Sequence, residues 1–236
     1  MSSLRIWPVR GVGEINDGDD LVALFLDALE RQGDELEPLD LVVVTSKVIA
    51  KAEGRVVAFD GTPEHKSALI EQESTRVLRR RGPLRITETP HGFINANAGI
   101  DLSNTRDGTA VLLPKDPDRS ARRFRAELGR RCGLNVAVVV TDTFGRAWRE
   151  GVTDVAIGSA GLRVVLDLRG TTDASGRLLE TTEVAIADEI AGAANLVLGK
   201  AAGTPFALVR GLDEDMFGEG SVREHLLRSP HNDLFR

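Results

Sequence analysis

Short apolar runs and longer amphipathic segments follow one another along this chain. The short runs are rich in β-branched residues and end at glycine, proline or polar residues, which is typical of buried β-strands. They predict five strands, at residues 4–9, 41–44, 108–113, 136–140 and 206–209. The run at 136–140 gives the clearest strand signal.

Four segments predict helices. The first has apolar residues with helical spacing between 21 and 29, after candidate N-caps at 17–20 and before a stop at Gly33. The others are a polar segment at 64–81, a basic amphipathic segment at 118–131, and a segment that Thr181 or Thr182 caps and that runs to Leu198.

The order of these elements predicts an α+β fold, because strands and helices do not follow a strict βαβ rhythm. We expect one domain over residues 1–236. Composition shifts near residue 83 and at 170–176 mark two candidate boundaries between subdomains.

Composition and charge limit the classes of function. Apolar residues make up 42% of the chain and charged residues 28%, which are globular proportions. The net charge of −6 argues against nucleic acid as the main partner. The apolar runs are too short to span a bilayer, the start lacks a signal-peptide pattern, and the single cysteine, Cys132, fits a reducing compartment. We therefore expect a cytoplasmic protein that binds neither nucleic acid nor membranes.

Polar residues that suit a metal ion are concentrated in two places. Residues 97–104 combine small residues with Asp101, a hydroxyl and amides, whose oxygens suit a hard cation such as Mg²⁺ or Mn²⁺. Asp142 directly follows the strand at 136–140, a position where carboxylates often bind metal or phosphate. The alternatives are a self-bonded tight turn for the first segment and, for Asp142, a residue that caps the next segment.

A third candidate, residues 45–55, follows another apolar strand. If Lys47 begins a helix, Lys51 lies on the same face one turn later. Lysine is scarce in this chain and Ser46 precedes the pair, which favours contact with phosphate. The alternative is two solvated lysines. The segment is not a P-loop, because the glycine pattern is missing.

Taken together, these segments closely resemble the coenzyme F420:L-glutamate ligases, also called F420 γ-glutamyl ligases. The similarity covers nearly the whole chain in order. The matching strings are TSKVIAKAEGR at 45–55, NAGIDLSN at 97–104, LLPKDPDRSA at 112–121, VVVTDTFGRAWREG at 138–151, VAIADEIAGAANLVLGK at 184–200 and VRG at 209–211.

The resemblance implies a fold and a reaction. Family members have a two-part α+β fold of their own type, with mixed or antiparallel sheets and flanking helices, and form homodimers. They couple GTP hydrolysis to the γ-linkage of L-glutamate to F420-0 or a related deazaflavin precursor, through an acyl phosphate. They require Mg²⁺ or Mn²⁺, with K⁺ as a further candidate cation.

The resemblance also implies roles for individual residues, although it does not identify the group that deprotonates the incoming amine. It assigns nucleotide contacts to Val12, Gly13, Glu14, Ile15, Ser46, Lys51 and Asn104. It assigns metal ligands to Asp101, Asp142 and Thr143.

Two features depart from the family pattern or extend it. Archaeal relatives have an acidic or amide side chain for a second metal in the segment that aligns with 198–205, where this chain has Lys200. The ending HNDLFR at 231–236 resembles the junction with a flavin-binding domain in a two-domain actinobacterial form. We therefore expect a free-standing ligase or the ligase domain of that form.

Two other classes of function use similar loops. A phosphotransferase would release a stable phosphorylated product without consuming an amino acid. A non-catalytic nucleotide-binding module would bind GTP and metal but release no phosphate in response to glutamate.

Overall fold

The computed structural model describes residues 3–103, 105–199 and 203–234. Its strands are β1 (Arg5–Val9), β2 (Leu41–Thr45), β3 (Val56–Ala58), β4 (Arg76–Arg81), β5 (Leu84–Glu88), β6 (Ile94–Ala96), β7 (Thr109–Val111), β8 (Ala137–Arg146), β9 (Arg149–Ala160), β10 (Leu166–Asp167), β11 (Glu183–Val184) and β12 (Phe206–Arg210). Its α-helices are α1 (Leu21–Gln32), α2 (Ser46–Ala52), α3 (Pro63–Gln72), α4 (Pro117–Cys132) and α5 (Ile186–Leu198).

A five-stranded sheet forms the centre of the fold, in the order β1-β12-β2-β8-β9. β2 and β8 are parallel, and the other neighbouring strands are antiparallel. Three smaller antiparallel sheets pair β4-β5-β6, β3-β7 and β10-β11. The predicted α+β fold with mixed and antiparallel sheets and flanking helices is confirmed, and its division into two parts stays a prediction.

The core covers both faces of this sheet. Four successive residues of β2, Leu41 to Val44, are fully buried. Because successive side chains of a strand point to opposite faces, both faces must be covered. On one of them Phe25 of α1 packs against Phe206 of β12 and Phe124 of α4, with ring centroids 5.2 and 6.0 Å from Phe25. The apolar runs of the sequence therefore form the buried strands.

All five predicted strands are present, but β8 is longer than predicted. It continues from Ala137 through Arg146, because residues 141–146 pair with β9 in an antiparallel hairpin. Only the first half of β8 is buried, and exposure rises towards its end. The apolar run therefore predicted the buried first half of β8 and not the more exposed second half, which pairs with β9.

The helix predicted over 64–81 is wrong in its second half. α3 ends at Gln72, and β4 then pairs with β5 across a tight turn at Gly82 and Pro83. β4 contains four arginines among its six residues and is mostly exposed, so its sequence lacks the apolar alternation that marks a half-buried strand. Cross-strand pairing decides its conformation, and pairing is not a local property.

The cap predicted for the last helix is also wrong. α5 begins at Ile186, because Glu183 and Val184 form β11 and pair with β10. Thr182 accepts a backbone hydrogen bond from Leu168 N at 3.0 Å and so belongs to the connection before the helix. The subdomain boundaries near 83 and at 170–176 stay predictions.

Within the described ranges, the helices are too short or too polar for any of them to cross a membrane. The expected cytoplasmic location stays a prediction.

Candidate functional site

The parallel strands β2 and β8 are neighbours in the central sheet, and a cavity of about 640 Å³ lies at the edge of the sheet formed by their carboxyl ends. β2 ends at Thr45, which is level with Thr141 of β8. β12 runs in the opposite direction, so the chain enters it at the same edge, where Pro205 O accepts a hydrogen bond from Thr45 N at 3.0 Å. The segments around these strand ends therefore meet at one cavity, as is usual for ligand sites beside parallel strands.

The structure brings together the site residues that the resemblance implies. Those that line the cavity come from four separate segments of the chain, and they are Val12, Gly13, Glu14, Ile15, Ser46, Lys51, Asp101, Asp142 and Thr143. Asn104 lies outside the described residues, as does Lys200. The roles of all these residues as ligands stay predictions.

Lys51 is a buried cation in the wall of this cavity, with 8% of the residue exposed. Its Nζ donates a hydrogen bond to Glu14 Oε1 at 2.5 Å, and the Glu14 side chain itself is 71% exposed. Burial excludes the alternative in which Lys51 lies on a solvated helix face. A buried ammonium with one exposed partner suits an anion that enters the cavity.

Asp101 joins the loop at 97–103 to α2. Its Oδ2 lies 2.7 Å from Lys47 Nζ. Its Oδ1 accepts hydrogen bonds from the backbone N and the hydroxyl of Ser103, both at 2.7 Å. Burial raises the pKa of Asp101, but the bonds from Lys47 and Ser103 outweigh it and hold the pKa below its ordinary value. The self-bonded turn considered above is therefore present, and it leaves Asp101 ionised at the cavity.

The backbone of this loop is unusual just before Asp101. Asn97 and Ala98 both have positive φ, 51° and 56°, in the left-handed region that non-glycine residues seldom adopt. Ala98 is buried, and its N–H donates to Thr87 Oγ1 at 2.9 Å, which holds the strained conformation in place. The loop is thus fixed by β5 as well as by α2.

Asp142 is a half-buried residue on the second half of β8. Burial raises its pKa to about 7, against hydrogen bonds from Thr143 N and Ser46 that lower it, and the negative charges of Asp154 and Asp101 raise it further. Asp142 does not cap a following segment, because β8 continues beyond it. A carboxyl with this pKa exchanges its proton near neutral pH.

Thr143 faces Asp154 across the β8–β9 hairpin, in register. Its hydroxyl donates to Asp154 Oδ1 at 2.6 Å, and Asp154 is buried, with 5% of the residue exposed. Asp154 also lines the cavity. Three aspartates therefore surround this part of the cavity, and the pKa of Asp142 shows that their charges interact.

These oxygen donors fit a hard cation only in part. Asp101, Asp142 and the Thr143 hydroxyl are the donor types that Mg²⁺ and Mn²⁺ bind. In the described parts of the chain, however, no group of three or more His, Cys, Asp or Glu side chains is placed to hold a metal ion. Mg²⁺ typically binds one or two carboxylates and completes its shell with water and phosphate oxygens. The residues present suit that kind of shared site.

Sequence reasoning missed two residues of this site, Lys47 as the partner of Asp101 and Asp154 as the partner of Thr143. The signal for Asp154 was present, because segments rich in β-branched residues flank a glycine-containing stretch at 145–151, a pattern typical of a hairpin. In the hairpin turn Trp148 has a positive φ of 58° and is 83% exposed.

Comparison with known proteins identifies the family. The model of the F420-0:Gamma-glutamyl ligase family matches residues 11–211. A coenzyme F420:L-glutamate ligase of Methanothermobacter thermautotrophicus is 39% identical over 245 residues, with 97% of each chain covered. A coenzyme F420:L-glutamate ligase of Methanopyrus kandleri is 38% identical, with 100% of this chain and 99% of the relative covered. One of Archaeoglobus fulgidus is 37% identical, with 99% of this chain and 96% of the relative covered. Full-length similarity at this level confirms the resemblance noted in the sequence, and the chain belongs to the F420-0:Gamma-glutamyl ligase family.

Proposed function

We propose that this protein is a GTP- and divalent-metal-dependent ligase that adds L-glutamate through a γ-linkage to coenzyme F420-0, forming GDP, in F420 biosynthesis. Its relatives named coenzyme F420:L-glutamate ligase support the substrates. One structural observation supports the site: every described residue that the resemblance assigns to nucleotide or metal lines the same cavity.

The chemistry explains why such a ligase needs a nucleotide. A carboxylate is a poor electrophile, because its leaving group would be oxide. In the proposed reaction the carboxylate oxygen of F420-0 attacks the terminal phosphorus of GTP, the bond to GDP breaks, and an acyl phosphate forms. The amine of glutamate then attacks the acyl carbon, phosphate leaves with the bonding electrons, and the amine loses a proton. The products are the amide that joins the F420-0 carboxyl to the glutamate nitrogen, GDP and phosphate; a γ-linkage forms when the γ-carboxylate of a glutamate already attached is activated in the same way.

Positioning and charge neutralisation are the main contributions that a protein makes to phosphoryl transfer. Lys51 is buried at the cavity wall and would bind a phosphate oxygen once its Nζ leaves Glu14. Asp101, Asp142 and Thr143 would hold Mg²⁺ or Mn²⁺, which supplies positive charge to the transferring phosphoryl group. K⁺ at this site and assembly as a homodimer stay predictions.

Omission of single components tests this proposal. Purified protein is incubated with GTP, F420-0, L-glutamate and Mg²⁺, and then with each left out in turn. Phosphate release is measured together with the mass of the deazaflavin product. We expect release and a product heavier by glutamyl units only in the complete mixture. A phosphorylated product without glutamate would indicate a phosphotransferase, and GTP binding without turnover would indicate a binding module.

Asp142→Asn is the matched site variant, because it keeps the size of the side chain and removes its charge. Losing a charge-stabilising contact of this kind typically lowers turnover about 10²- to 10³-fold. Asp188→Asn is the control, since Asp188 is a partly buried aspartate that accepts from Ala156 N at 2.9 Å and does not line the cavity. Equal turnover in the two variants would contradict the role of Asp142.

A further inference from the structure

Asp154 is a buried carboxylate whose two oxygens both face hydroxyl groups. Its Oδ1 accepts from Thr143 Oγ1 at 2.6 Å, and its Oδ2 lies 3.5 Å from Thr141 Oγ1. Thr141 is fully buried, so the second hydroxyl faces away from solvent. A distance of 2.6 Å is typical of a hydroxyl that donates to an ionised carboxylate, which is among the stronger hydrogen bonds in proteins.

The proton of Thr143 decides what its oxygen can bind. A hydroxyl has one proton to donate and two lone pairs to accept with. Since Thr143 donates its proton to Asp154, both lone pairs of Oγ1 remain available, and Thr143 lines the cavity. We propose that Asp154 is a positioning residue, which takes the Thr143 proton and fixes the Thr143 oxygen in the orientation that binds the divalent cation. This inference rests on the metal dependence in the proposed function.

The fold holds Asp154 firmly enough for this role. On the same strand, Ala156 N donates to Asp188 of α5 and Ser159 N donates to Asp118 of α4, both at 2.9 Å. β9 is therefore fixed from two helices beside Asp154. Without its acceptor, the Thr143 hydroxyl could turn to another staggered rotamer and point its proton at the cavity, where it would oppose a cation.

A direct role of Asp154 as a metal ligand fits less well. Its Oδ1 already accepts the short bond from Thr143, so this oxygen has less capacity left for a cation. Partners that orient a metal ligand in this way typically contribute about 10- to 100-fold in metal affinity.

A double-mutant cycle on Mn²⁺ binding tests the inference without turnover. Mn²⁺ affinity is measured by calorimetry for the parent, Asp154→Ala, Thr143→Val and the double variant. We expect Asp154→Ala to weaken Mn²⁺ binding roughly 10- to 100-fold in the parent. We expect the same change to have little effect once Thr143 is valine, because Asp154 acts through that hydroxyl. Additive losses, or parent-like affinity in Asp154→Ala, would overturn the proposal.

A conservative replacement separates the hydrogen bond from the charge. In Asp154→Asn the amide oxygen can still accept the Thr143 proton, so this variant should bind Mn²⁺ more tightly than Asp154→Ala does. Equal losses in the two would show that Asp154 acts only through its charge. If Asp154→Ala does not fold, Asp154→Ser replaces it, because a serine hydroxyl is too short to reach Thr143.

Two control variants cover general damage to β9. Thr153→Val removes a neighbouring hydroxyl that makes no hydrogen bond among the described residues. Asp188→Ala removes one of the two carboxylates that hold this strand from the helices beside it. Both should keep the parent affinity for Mn²⁺, even where the melting temperature falls. A comparable loss in Asp188→Ala would reassign the effect of Asp154 to the strand as a whole. If the parent protein binds no Mn²⁺, the proposed metal dependence and this inference are both contradicted. If the parent binds Mn²⁺ and the Asp154 and Thr143 variants bind it equally well, only this inference is contradicted.

Discussion

The pKa of Asp142 predicts that cation binding depends on pH near neutrality. Burial is the main cause of the rise to about 7, with the charges of Asp154 and Asp101 adding to it. Without a cation, Asp142 is therefore close to half protonated at pH 7. A protonated carboxyl does not bind a divalent cation, so Mn²⁺ must compete with a proton for this side chain.

The size of the effect follows from the same pKa. With a pKa of about 7, roughly a tenth of Asp142 is ionised at pH 6 and roughly nine-tenths at pH 8. The apparent affinity for Mn²⁺ should therefore rise about tenfold from pH 6 to pH 8, an effect of about 1.4 kcal/mol.

The stability of the metal-free protein should change in the opposite direction. The ordinary pKa of 3.8 applies when the chain is unfolded, and the folded value is about 7. Between these pH values the folded state binds more protons than the unfolded state. The contribution of Asp142 to the free energy of unfolding is therefore fully present below pH 3.8 and is lost as the pH rises to about 7. The shift corresponds to about 4 kcal/mol at most, and residual solvent exposure of the side chain reduces it.

Calorimetric titration of Mn²⁺ at several pH values, in the parent and in Asp142→Asn, measures this prediction. The variant should bind weakly and show no rise between pH 6 and 8, while its metal-free unfolding free energy should fall less with pH. Asp188→Asn should keep the parent profile for Mn²⁺, because Asp188 lies outside the cavity. A parent affinity that changes less than about twofold across this range would refute the reasoning about Asp142.

Three further predictions concern binding and stability. Lys51→Ala should weaken GTP binding roughly 10- to 100-fold in calorimetry, because it removes a charge-assisted contact; unchanged affinity would leave Lys51 with a structural role only. Gly158→Ala should lower the free energy of unfolding in urea by about 1–3 kcal/mol or more, because a Cβ there would lie 2.4 Å from Pro117 C and O. Gly145→Ala should lower it much less, because a Cβ there meets nothing within 4 Å. Asp118→Ala should cost about 1.5–3 kcal/mol or more, because Asp118 accepts four hydrogen bonds, three of them from residues 221–223. It should also speed proteolysis after residue 220; parent-like stability and cleavage would contradict this.

The predictable part of the fold is the part in which local sequence and burial agree. β2, the first half of β8 and β12 are apolar because both faces of the sheet are covered, and that property is visible in the sequence. β4 was not predictable in this way, because its arginines are exposed and its conformation depends on β5.

The candidate site follows the same division. Resemblance located the residues, but their partners depend on contacts between distant segments. Lys51 Nζ donates to Glu14 Oε1, which lies 37 positions away in the sequence. Lys47 Nζ donates to Ser103 O, which lies 56 positions away in the turn that contains Asp101. Asp154 needed knowledge of the hairpin register, which sets it opposite Thr143. Spacing along the chain does not determine such pairs.

The position of Trp148 gives the hairpin an optical signal of its own. The chain has two tryptophans and no tyrosine, so its tryptophan fluorescence comes from Trp7 and Trp148 alone. Trp7 is partly buried and its indole N–H donates to Asp34, whereas Trp148 is 83% exposed at the turn of the hairpin that holds Asp142 and Asp154. In a Trp7→Phe background, emission and quenching would report on this hairpin only, and ligand titrations could be followed without an attached dye.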